Sequence, residues 1–245
     1  MTKFAAIIQT RMSSTRLPGK VLMKAVGKTL LELLLDRLKH SKYIKEVIIA
    51  TTHNPNDDVL VDFCNKNGIK VFRGDENDVL DRYYQTAKAF NVDVVVRITS
   101  DCPLIDPKVT DNVIEQFLEG GYDYVSNISP PTYPDGLDTW VFSFKALEKT
   151  WNEAKDPYER EHVTPYFWKH PELFKIANIS QATDMSQMYR WTLDYPEDYA
   201  FIKRIYEELY RPEKIFHMED VLDLLKRKPE ISALNSNRLQ DNSFK

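Results

Sequence analysis

Near its N-terminus the chain reads Phe4-Ala-Ala-Ile-Ile-Gln-Thr-Arg-Met-Ser-Ser-Thr-Arg-Leu-Pro-Gly-Lys20. The apolar run at the start of this stretch predicts a buried β-strand, and the leucine-rich segment that follows it predicts an α-helix. The ten residues from Arg11 to Lys20 would then form the loop between the two elements. In open α/β sheets, ligands bind at the carboxyl ends of the strands, so this loop is predicted to lie at a binding site.

The loop carries three basic side chains and several hydroxyls, but no acidic residue. The guanidinium groups of Arg11 and Arg16 and the ammonium of Lys20 are donors for phosphate oxygens, and Ser13, Ser14 and backbone N–H groups would satisfy the remaining acceptors. The Gly-Lys step lacks the upstream glycine and the following Ser or Thr of a Walker A loop. The chain also contains no Gly-x-Gly-x-x-Gly dinucleotide motif. The loop therefore predicts a polyphosphate site of another kind, with a solvated basic loop as the alternative.

The composition indicates one globular protein without a basic excess. The 245 residues are 42% hydrophobic and 12% aromatic, which is enough for a well-filled core. The net charge of −4 does not favour nucleic acid or an anionic membrane surface as a partner, and no apolar stretch approaches the roughly 18 residues of a membrane span. Cys64 and Cys102 lack metal-type spacing and predict reduced thiols. We therefore expect a cytoplasmic protein.

Strand-like apolar runs alternate with helix-period segments through the first half of the chain, and this order predicts a doubly wound α/β layer. The predicted helices there cover 30–38, 59–64, about 78–90 and 107–118, and the predicted strands cover 47–50, 69–72 and 92–96. The second half predicts strands at 122–125, 139–142, 174–176 and 189–193, and helices at 144–154, 159–167, 196–210 and 217–227. We see no repeat or linker. Residues 1–245 are therefore predicted to form a single domain, in which about 122–190 make a strand-rich flap.

Two aspartates lie where predicted strands end. Asp101 follows the Val-rich strand, and Asp194 precedes a helix that begins with a proline. A carboxylate that faces a basic phosphate loop would need a cation, and Mg²⁺ binds through one or two carboxylates together with substrate phosphates. The alternatives are a turn residue for Asp101 and part of a helix start for Asp194. Asp106, which also precedes a proline, is predicted to be a helix N-cap.

The order of these motifs resembles the CMP-sugar synthetases, which include the cytidylyltransferases for 3-deoxy-manno-octulosonate and acylneuraminate-type acids. The resemblance rests on the Arg-x-x-Ser-x-Arg-Leu-Pro-Gly-Lys loop, the Asp-x-Pro-Leu-Ile strand end and the late Asp-x-Pro-Glu-Asp segment. It is strongest to the branch of spore coat polysaccharide biosynthesis protein F and covers roughly residues 4–235. That branch has blocks similar to Asp78-Val-Leu-Asp-Arg82, Gly136-Leu-Asp138 and Arg160-Glu-His-Val-Thr-Pro165.

The resemblance implies a Rossmann-like, glycosyltransferase A-type nucleotide-diphospho-sugar transferase fold, with a mixed, mostly parallel sheet and a smaller flap that binds the acceptor and commonly dimerises. A homodimer is therefore expected. The nucleotide contacts that it implies for CTP are Arg11, Ser14, Arg16, Lys20 and Arg82, to which the loop chemistry adds Ser13. The Mg²⁺ carboxylates would be Asp101 and Asp194, and the residues on the acceptor side would be Arg97, Asp138, Glu161 and His162.

The implied reaction is transfer of CMP from CTP to a hydroxyl of a small sugar acid, of the 2-keto-3-deoxy or nonulosonic type, with release of pyrophosphate for surface polysaccharide or glycan biosynthesis. Asp101 and Asp194 would act through the metal, while Arg11 and Lys20 neutralise charge on the leaving pyrophosphate. One departure is Trp140, at a position where branch members commonly carry an acidic residue, which leaves the acceptor open.

Two other functions stay open at this point. A glycosyltransferase that uses a nucleotide-sugar donor would normally show Asp-x-Asp, whereas the segment that begins at Asp101 lacks the second aspartate. A non-catalytic nucleotide-binding protein would be expected to have lost part of the basic loop or one of the two aspartates, and both sets are present.

Overall fold

The computed structural model describes residues 2–241, which form a seven-stranded sheet, a small two-stranded sheet and the surrounding helices. The strands are β1 (Phe4–Gln9), β2 (Lys24–Ala25), β3 (Lys28–Thr29), β4 (Glu46–Thr52), β5 (Lys70–Gly74), β6 (Val94–Thr99), β7 (Tyr124–Ser126), β8 (Trp140–Ser143) and β9 (Ile176–Asn178). The helices are α1 (Leu30–Leu38), α2 (Asp58–Lys66), α3 (Val79–Ala89), α4 (Pro107–Gly120), α5 (Phe144–Glu153), α6 (Pro157–His162), α7 (Pro165–Lys169), α8 (Pro196–Leu209), α9 (Met218–Arg227) and α10 (Pro229–Ser232). Short 3-10 turns cover Lys20–Leu22, Pro55–Asp57 and Ser236–Asp241.

The large sheet has the order β5-β4-β1-β6-β8-β7-β9. Its strands run parallel to their neighbours except β8, which is antiparallel to both β6 and β7. This mixed, mostly parallel α/β sheet confirms the predicted fold class. Gln9 of β1 is in register with Thr99 of β6, so the two segments that leave these strands start side by side. The parallel order therefore brings the basic loop next to the turn that contains Asp101.

Helices cover both faces of this sheet, because successive residues of the central strands point to opposite sides. Ile7 belongs to an apolar cluster with residues of α3 and α5, whereas Ile8 belongs to a second cluster with residues of α1, α2 and α4. Helix α1 begins at a capping box, in which Glu32 N donates to Thr29 Oγ1 (3.1 Å) and Thr29 N donates to Glu32 Oε2 (2.6 Å). The cap ends the β2–β3 hairpin and starts the helix that the leucine spacing predicts.

Two predicted elements in the second half are wrong. The helix predicted over 159–167 is two helices, α6 and α7, because Val163 adopts a φ of 70° and Pro165 starts a new helix. The strand predicted over 189–193 does not form. In that segment Trp191 N donates to Asp135 O, whereas Leu193 N donates to Asp101 O. Neighbouring residues thus pair with different segments, and no ladder develops.

Residues 122–190 contribute β7, β8 and β9 to the large sheet and add α5, α6 and α7 beside α3. The function assigned to this region, acceptor binding and dimerisation, stays a prediction. Within residues 2–241, no helix combines the length and the apolar character needed to cross a membrane.

Candidate active site

A cavity of about 720 Å³ lies at the carboxyl ends of β1 and β6. The predicted site residues line it, apart from Ser13 and Asp138. Residues that sequence reasoning did not single out also line it, namely Gln9, Thr10, Thr15, Glu76, Asn77, Val79, Thr99, Ser100 and Pro157. Gln9, Thr10, Thr99 and Ser100 lie at or directly after the ends of β1 and β6, so the strand boundaries were the signal that could have identified these four.

The basic loop is closed by its own backbone. Met12 O accepts hydrogen bonds from Ser14 N (2.9 Å) and Gly19 N (3.1 Å). Met12 N donates to Asp57 Oδ1 (2.7 Å), and Asp57 is only 1% exposed. Gly19 has a φ of 69°, a conformation that an L side chain rarely adopts. This closure fixes the path of the loop, so that Arg11, Arg16 and Lys20 reach the cavity.

Lys20 joins the basic loop to both strand-end aspartates. Its Nζ lies 2.9 Å from Asp194 Oδ1 and 3.8 Å from Asp101 Oδ2, and it also donates to Leu193 O (2.6 Å). Arg16 Nη2 lies 2.8 Å from the same Asp194 oxygen. Burial alone would raise the pKa of Asp194, but Lys20 and Arg16 outweigh it and lower the pKa to about 2. Asp194 is therefore an ionised carboxylate at neutral pH.

Asp194 does not cap the helix that follows it. Asp198, inside the first turn of α8, accepts from Asp194 N and Tyr195 N (both 3.0 Å). Arg190, a buried arginine, donates to Asp194 Oδ2 (3.0 Å) and Asp198 Oδ1 (3.2 Å). Asp198 thus accepts the hydrogen bonds of the backbone N–H groups at the start of α8. The Asp194 carboxylate is not needed there and faces the cations of the cavity.

Asp101 lies in the turn after β6, with its side chain 32% exposed. Its carboxylate contacts Lys20 and, at 3.7 Å, the Cys102 Sγ, and among the described residues it accepts no backbone hydrogen bond. The turn-forming alternative for Asp101 therefore lacks the hydrogen bond that would define it. By contrast, Asp106 caps α4 through Lys108 N (2.8 Å), as predicted.

Two arginines on the loop side have little counter-charge. Arg11 is 48% exposed and lies 3.7 Å from Glu76 Oε1. Arg82, on α3, is only 3% exposed, and its guanidinium makes no hydrogen bond or ion pair with any residue in 2–241. Desolvation lowers the pKa of Arg82, and nearby Arg11 lowers it further, although Tyr83 raises it. An unpaired buried cation costs several kcal/mol, so this position suits an anionic ligand.

The opposite wall is built from α6, which carries Glu161 and His162. Arg160 holds this helix in place, because its Nη2 lies 2.5 Å from Asp78 Oδ2 and its Nη1 donates to Trp151 O (2.8 Å). Asp78 also caps α3 through Asp81 N (2.9 Å). The segments that contain Asp78 and Arg160 are far apart in the sequence, and this ion pair joins them beside the cavity.

Ser13 and Asp138 lie differently from the other predicted residues. The Ser13 hydroxyl donates to Glu76 Oε1 (3.0 Å); Glu76 lines the cavity, whereas Ser13 does not. Asp138 is 7% exposed, just before β8. Burial, followed by the charges of Asp135 and Asp101, raises the pKa of Asp138 well above its ordinary value and favours the neutral acid.

The chain is similar to known proteins in both sequence and structure. The family model described as "Cytidylyltransferase" matches residues 5–228. The chain is 34% identical over 240 residues to spore coat polysaccharide biosynthesis protein SpsF of Bacillus subtilis, covering 95% of this chain and 98% of that one. The structure of a cytidylyltransferase from Leptospira borgpetersenii superposes with a TM-score of 0.89 at 38% identity, covering 95% of this chain and 97% of that one.

A more distant structure shares the fold. CMP:2-keto-3-deoxy-manno-octonic acid synthetase, solved in complex with CTP, superposes with a TM-score of 0.65 at 16% identity, and the match covers 85% of this chain and all of that one. At this identity the likeness concerns the fold alone.

Proposed function

The chain belongs to the cytidylyltransferase family and is a CTP-dependent nucleotidyltransferase, and from that premise we propose that it transfers CMP from CTP to a hydroxyl of a small sugar acid and releases pyrophosphate. The observation that carries the proposal is the meeting of Lys20 with Asp101 and Asp194. Basic side chains and carboxylates thus line one cavity, which supports the proposal, because nucleotidyl transfer needs both phosphate-binding cations and a bound metal.

On the loop side, Arg11, Arg16, Lys20 and Arg82 would bind the triphosphate, with Ser14 completing the set. Arg11 and Arg82 are available as they stand. Arg16 and Lys20 are paired with Asp194 and would exchange that partner for phosphate oxygens. Because negative charge grows on the departing pyrophosphate, fixed cations beside it stabilise the transition state more than the bound substrate.

The donor set also fits a divalent cation. Asp101 and Asp194 offer carboxylate oxygens on either side of one Lys20 Nζ, and the low pKa of Asp194 keeps it ionised. Mg²⁺ is commonly held by one or two carboxylates plus substrate phosphates, so a site with fewer than three acidic ligands suits it. Bound there, Mg²⁺ would polarise the phosphate and neutralise part of its charge.

The acceptor would lie toward β8 and α6, where Arg97, Glu161 and His162 line the cavity; Asp138 is buried just before β8. SpsF, to which the chain is similar, is named for polysaccharide biosynthesis, and the distant synthetase of the same fold is named for a 2-keto-3-deoxy sugar acid. These names support a sugar acid as the acceptor class. We also propose a cytoplasmic homodimer, as the resemblance predicts.

The direct test is pyrophosphate release from CTP and Mg²⁺ across a panel of sugar acids, neutral sugars and non-sugar alcohols, with UTP and ATP as competing nucleotides. We expect release with CTP and at least one sugar acid. Consumption of a nucleotide sugar without turnover of CTP would instead establish the glycosyltransferase alternative. Binding of CTP without turnover of any acceptor would favour the non-catalytic alternative.

The second test replaces Asp101 by Asn, which keeps the size of the side chain and removes its charge. We expect kcat to fall about 100-fold or more, by comparison with losses at other electrostatic catalytic sites, while the unfolding curve stays unchanged. The matched control is Asp62→Asn, an exposed substitution on α2 that leaves the cavity intact. Near-normal turnover by a folded Asp101→Asn variant would remove Asp101 from the mechanism.

A further inference from the structure

Arg97 is a second arginine in the cavity without an acidic partner. It lies in β6, is 6% exposed as a residue and lines the cavity. Its Nη2 donates to Gln9 Oε1 (3.0 Å), and the Tyr83 hydroxyl accepts a second hydrogen bond from the guanidinium. Nε is enclosed and has no partner among residues 2–241. The group therefore has donor capacity to spare at the cavity surface.

No carboxylate in the described part of the chain lies within ion-pair distance of Arg97. Asp138 interacts electrostatically with Arg97, but burial raises the pKa of Asp138 well above its ordinary value and favours the neutral acid. A buried guanidinium stays charged at neutral pH, so its charge is uncompensated. Because an unpaired buried cation is costly, the position favours a ligand that brings a negative charge.

Trp140 orients the positively charged guanidinium group of Arg97. It is directly opposite Arg97 in the register of β6 and β8, and its ring lies 4.2 Å from the Arg97 guanidinium carbon. Stacking of this kind orients the planar group without using its N–H donors, which all lie in the guanidinium plane. An anion in that plane can accept two parallel hydrogen bonds, which is the geometry that a carboxylate offers.

The two unpaired arginines belong to different parts of the cavity. Arg82 is on α3, where the neighbouring Arg11 lowers its pKa, so it is grouped with the phosphate-binding cations. Arg97 is on the sheet itself, between Gln9 of β1 and Trp140 of β8. The cavity thus has one cationic region beside the basic loop and a second on the side of β8. A triphosphate would bring negative charge to the region beside the basic loop, and a separate acidic group would bring it to the region on the side of β8.

We propose that Arg97, oriented by Trp140 and Gln9, binds the carboxylate of the acceptor and makes the enzyme select sugar acids over neutral sugars. The inference rests on the proposed function and adds to it the group that recognises the acid. Arg97 would act in binding, and Trp140 would be a positioning residue that holds the guanidinium plane.

The test compares one sugar acid that the wild type uses with its carboxamide, which has the same shape and no charge. Loss of a charged hydrogen bond is expected to raise the KM for the acid about 10- to 100-fold in Arg97→Gln. The KM for CTP should not change, and kinetics with the carboxamide should stay within about threefold. The preference of the wild type for the acid over the amide would therefore disappear in the variant. Arg97→Lys keeps the charge but loses the planar, two-donor geometry of the guanidinium, so this variant is expected to keep part of the preference for the acid.

Arg82→Gln is the matched control, because it removes the other unpaired arginine and should raise the KM for CTP without altering the acid-to-amide ratio. Trp140→Phe, which keeps an aromatic face, should change the ratio less than Trp140→Leu. Equal losses with the acid and the amide in Arg97→Gln, or a raised KM for CTP, would overturn the inference while leaving the function in place. Failure of the wild type to use any sugar acid would overturn the proposed function, and this inference with it.

Discussion

Lys20 lies between two carboxylates that would otherwise repel each other. With Nζ at 2.9 Å from Asp194 and 3.8 Å from Asp101, it neutralises the part of the cavity where a metal and a triphosphate are proposed to bind. The ion pair with Lys20 helps to lower the pKa of Asp194, so this carboxylate is ionised and ready to act as a ligand. It also provides a cation that phosphate oxygens can attract once they enter. The same side chain thus stabilises the two neighbouring carboxylates and would serve the proposed reaction.

Asp138 gives a prediction about stability and pH. In the unfolded chain its pKa is that of an ordinary aspartate, near 3.8, whereas burial and nearby Asp135 and Asp101 raise it in the folded chain. Between these two values the folded protein keeps a proton that the unfolded chain releases, so this group makes stability fall as pH rises, by at most about 1.4 kcal/mol for each pH unit. Asp138→Asn has no such proton. We expect the variant to gain stability relative to the wild type from pH 5 to pH 8.

Urea unfolding at pH 5, 6.5 and 8 measures this difference, with the exposed Asp62→Asn as a control that should show no trend. A constant difference between Asp138→Asn and the wild type over this range would contradict the raised pKa.

At the scale of elements, the active site depends on how the segment before α8 crosses the end of the sheet. Residues 189–194 exchange two backbone hydrogen bonds with Asp135 and then donate to the Asp101 carbonyl, and this path delivers Asp194 to Lys20. Gly136 makes the crossing possible. It has a φ of 108°, and a Cβ there would lie 2.6 Å from Trp191 C and 2.8 Å from Thr192 N. Only a residue without a side chain allows the two backbones to approach this closely.

Gly136→Ala is therefore expected to destabilise the fold by about 3 kcal/mol or more, since it combines backbone strain with a clash against main-chain atoms. Gly27→Ala is the matched control, because Gly27 also has a positive φ (83°) but has nothing within 4 Å of its Cβ position. The control should cost only about 1 to 2 kcal/mol. Chemical unfolding measures both changes. Equal losses in the two variants would show that close packing at Gly136 is unimportant.

For the whole molecule, the predicted dimer can be related to the distribution of exposed apolar side chains. Of the eight large hydrophobic residues exposed among residues 2–241, four lie within 122–190: Tyr158, Trp168, Leu173 and Met188. Half of them thus come from less than a third of the chain, and exposed apolar clusters commonly mark protein interfaces. This distribution supports residues 122–190 as the region through which two copies associate.

Light scattering after gel filtration should give a mass of twice the 28.7 kDa chain. Trp168→Glu is expected to shift the protein toward the monomer, because it introduces a charge into an apolar interface. Leu118→Glu, on α4 and similarly exposed at 47%, serves as the control and should not alter the mass. A wild-type protein that elutes as a monomer at all concentrations would refute the predicted dimer.

The first half of the fold follows from local patterns. The strand that starts at Phe4, the helix with leucines at 30–38 and the Val-rich strand before Asp101 were all predicted, because each has a clear period and a recognisable start or stop. The cationic loop and its position at a strand end were predicted for the same reason. In the second half, the break at Val163 and the crossing at 189–194 were not predicted. The break coincides with a local signal, Pro165, whereas the crossing depends on hydrogen bonds with distant segments.

By itself, then, the sequence determined the alternation of the longer strands and helices in the first half, the basic loop and the two strand-end aspartates. Only the tertiary structure decided that β8 runs antiparallel, that Asp198 and not Asp194 caps α8, and that Arg97 stacks on Trp140 without an acidic partner. The physical reason is the distance along the chain over which each effect acts. Propensity and periodicity act over a few residues, whereas charge pairing, burial and pKa depend on which parts of the chain meet in space.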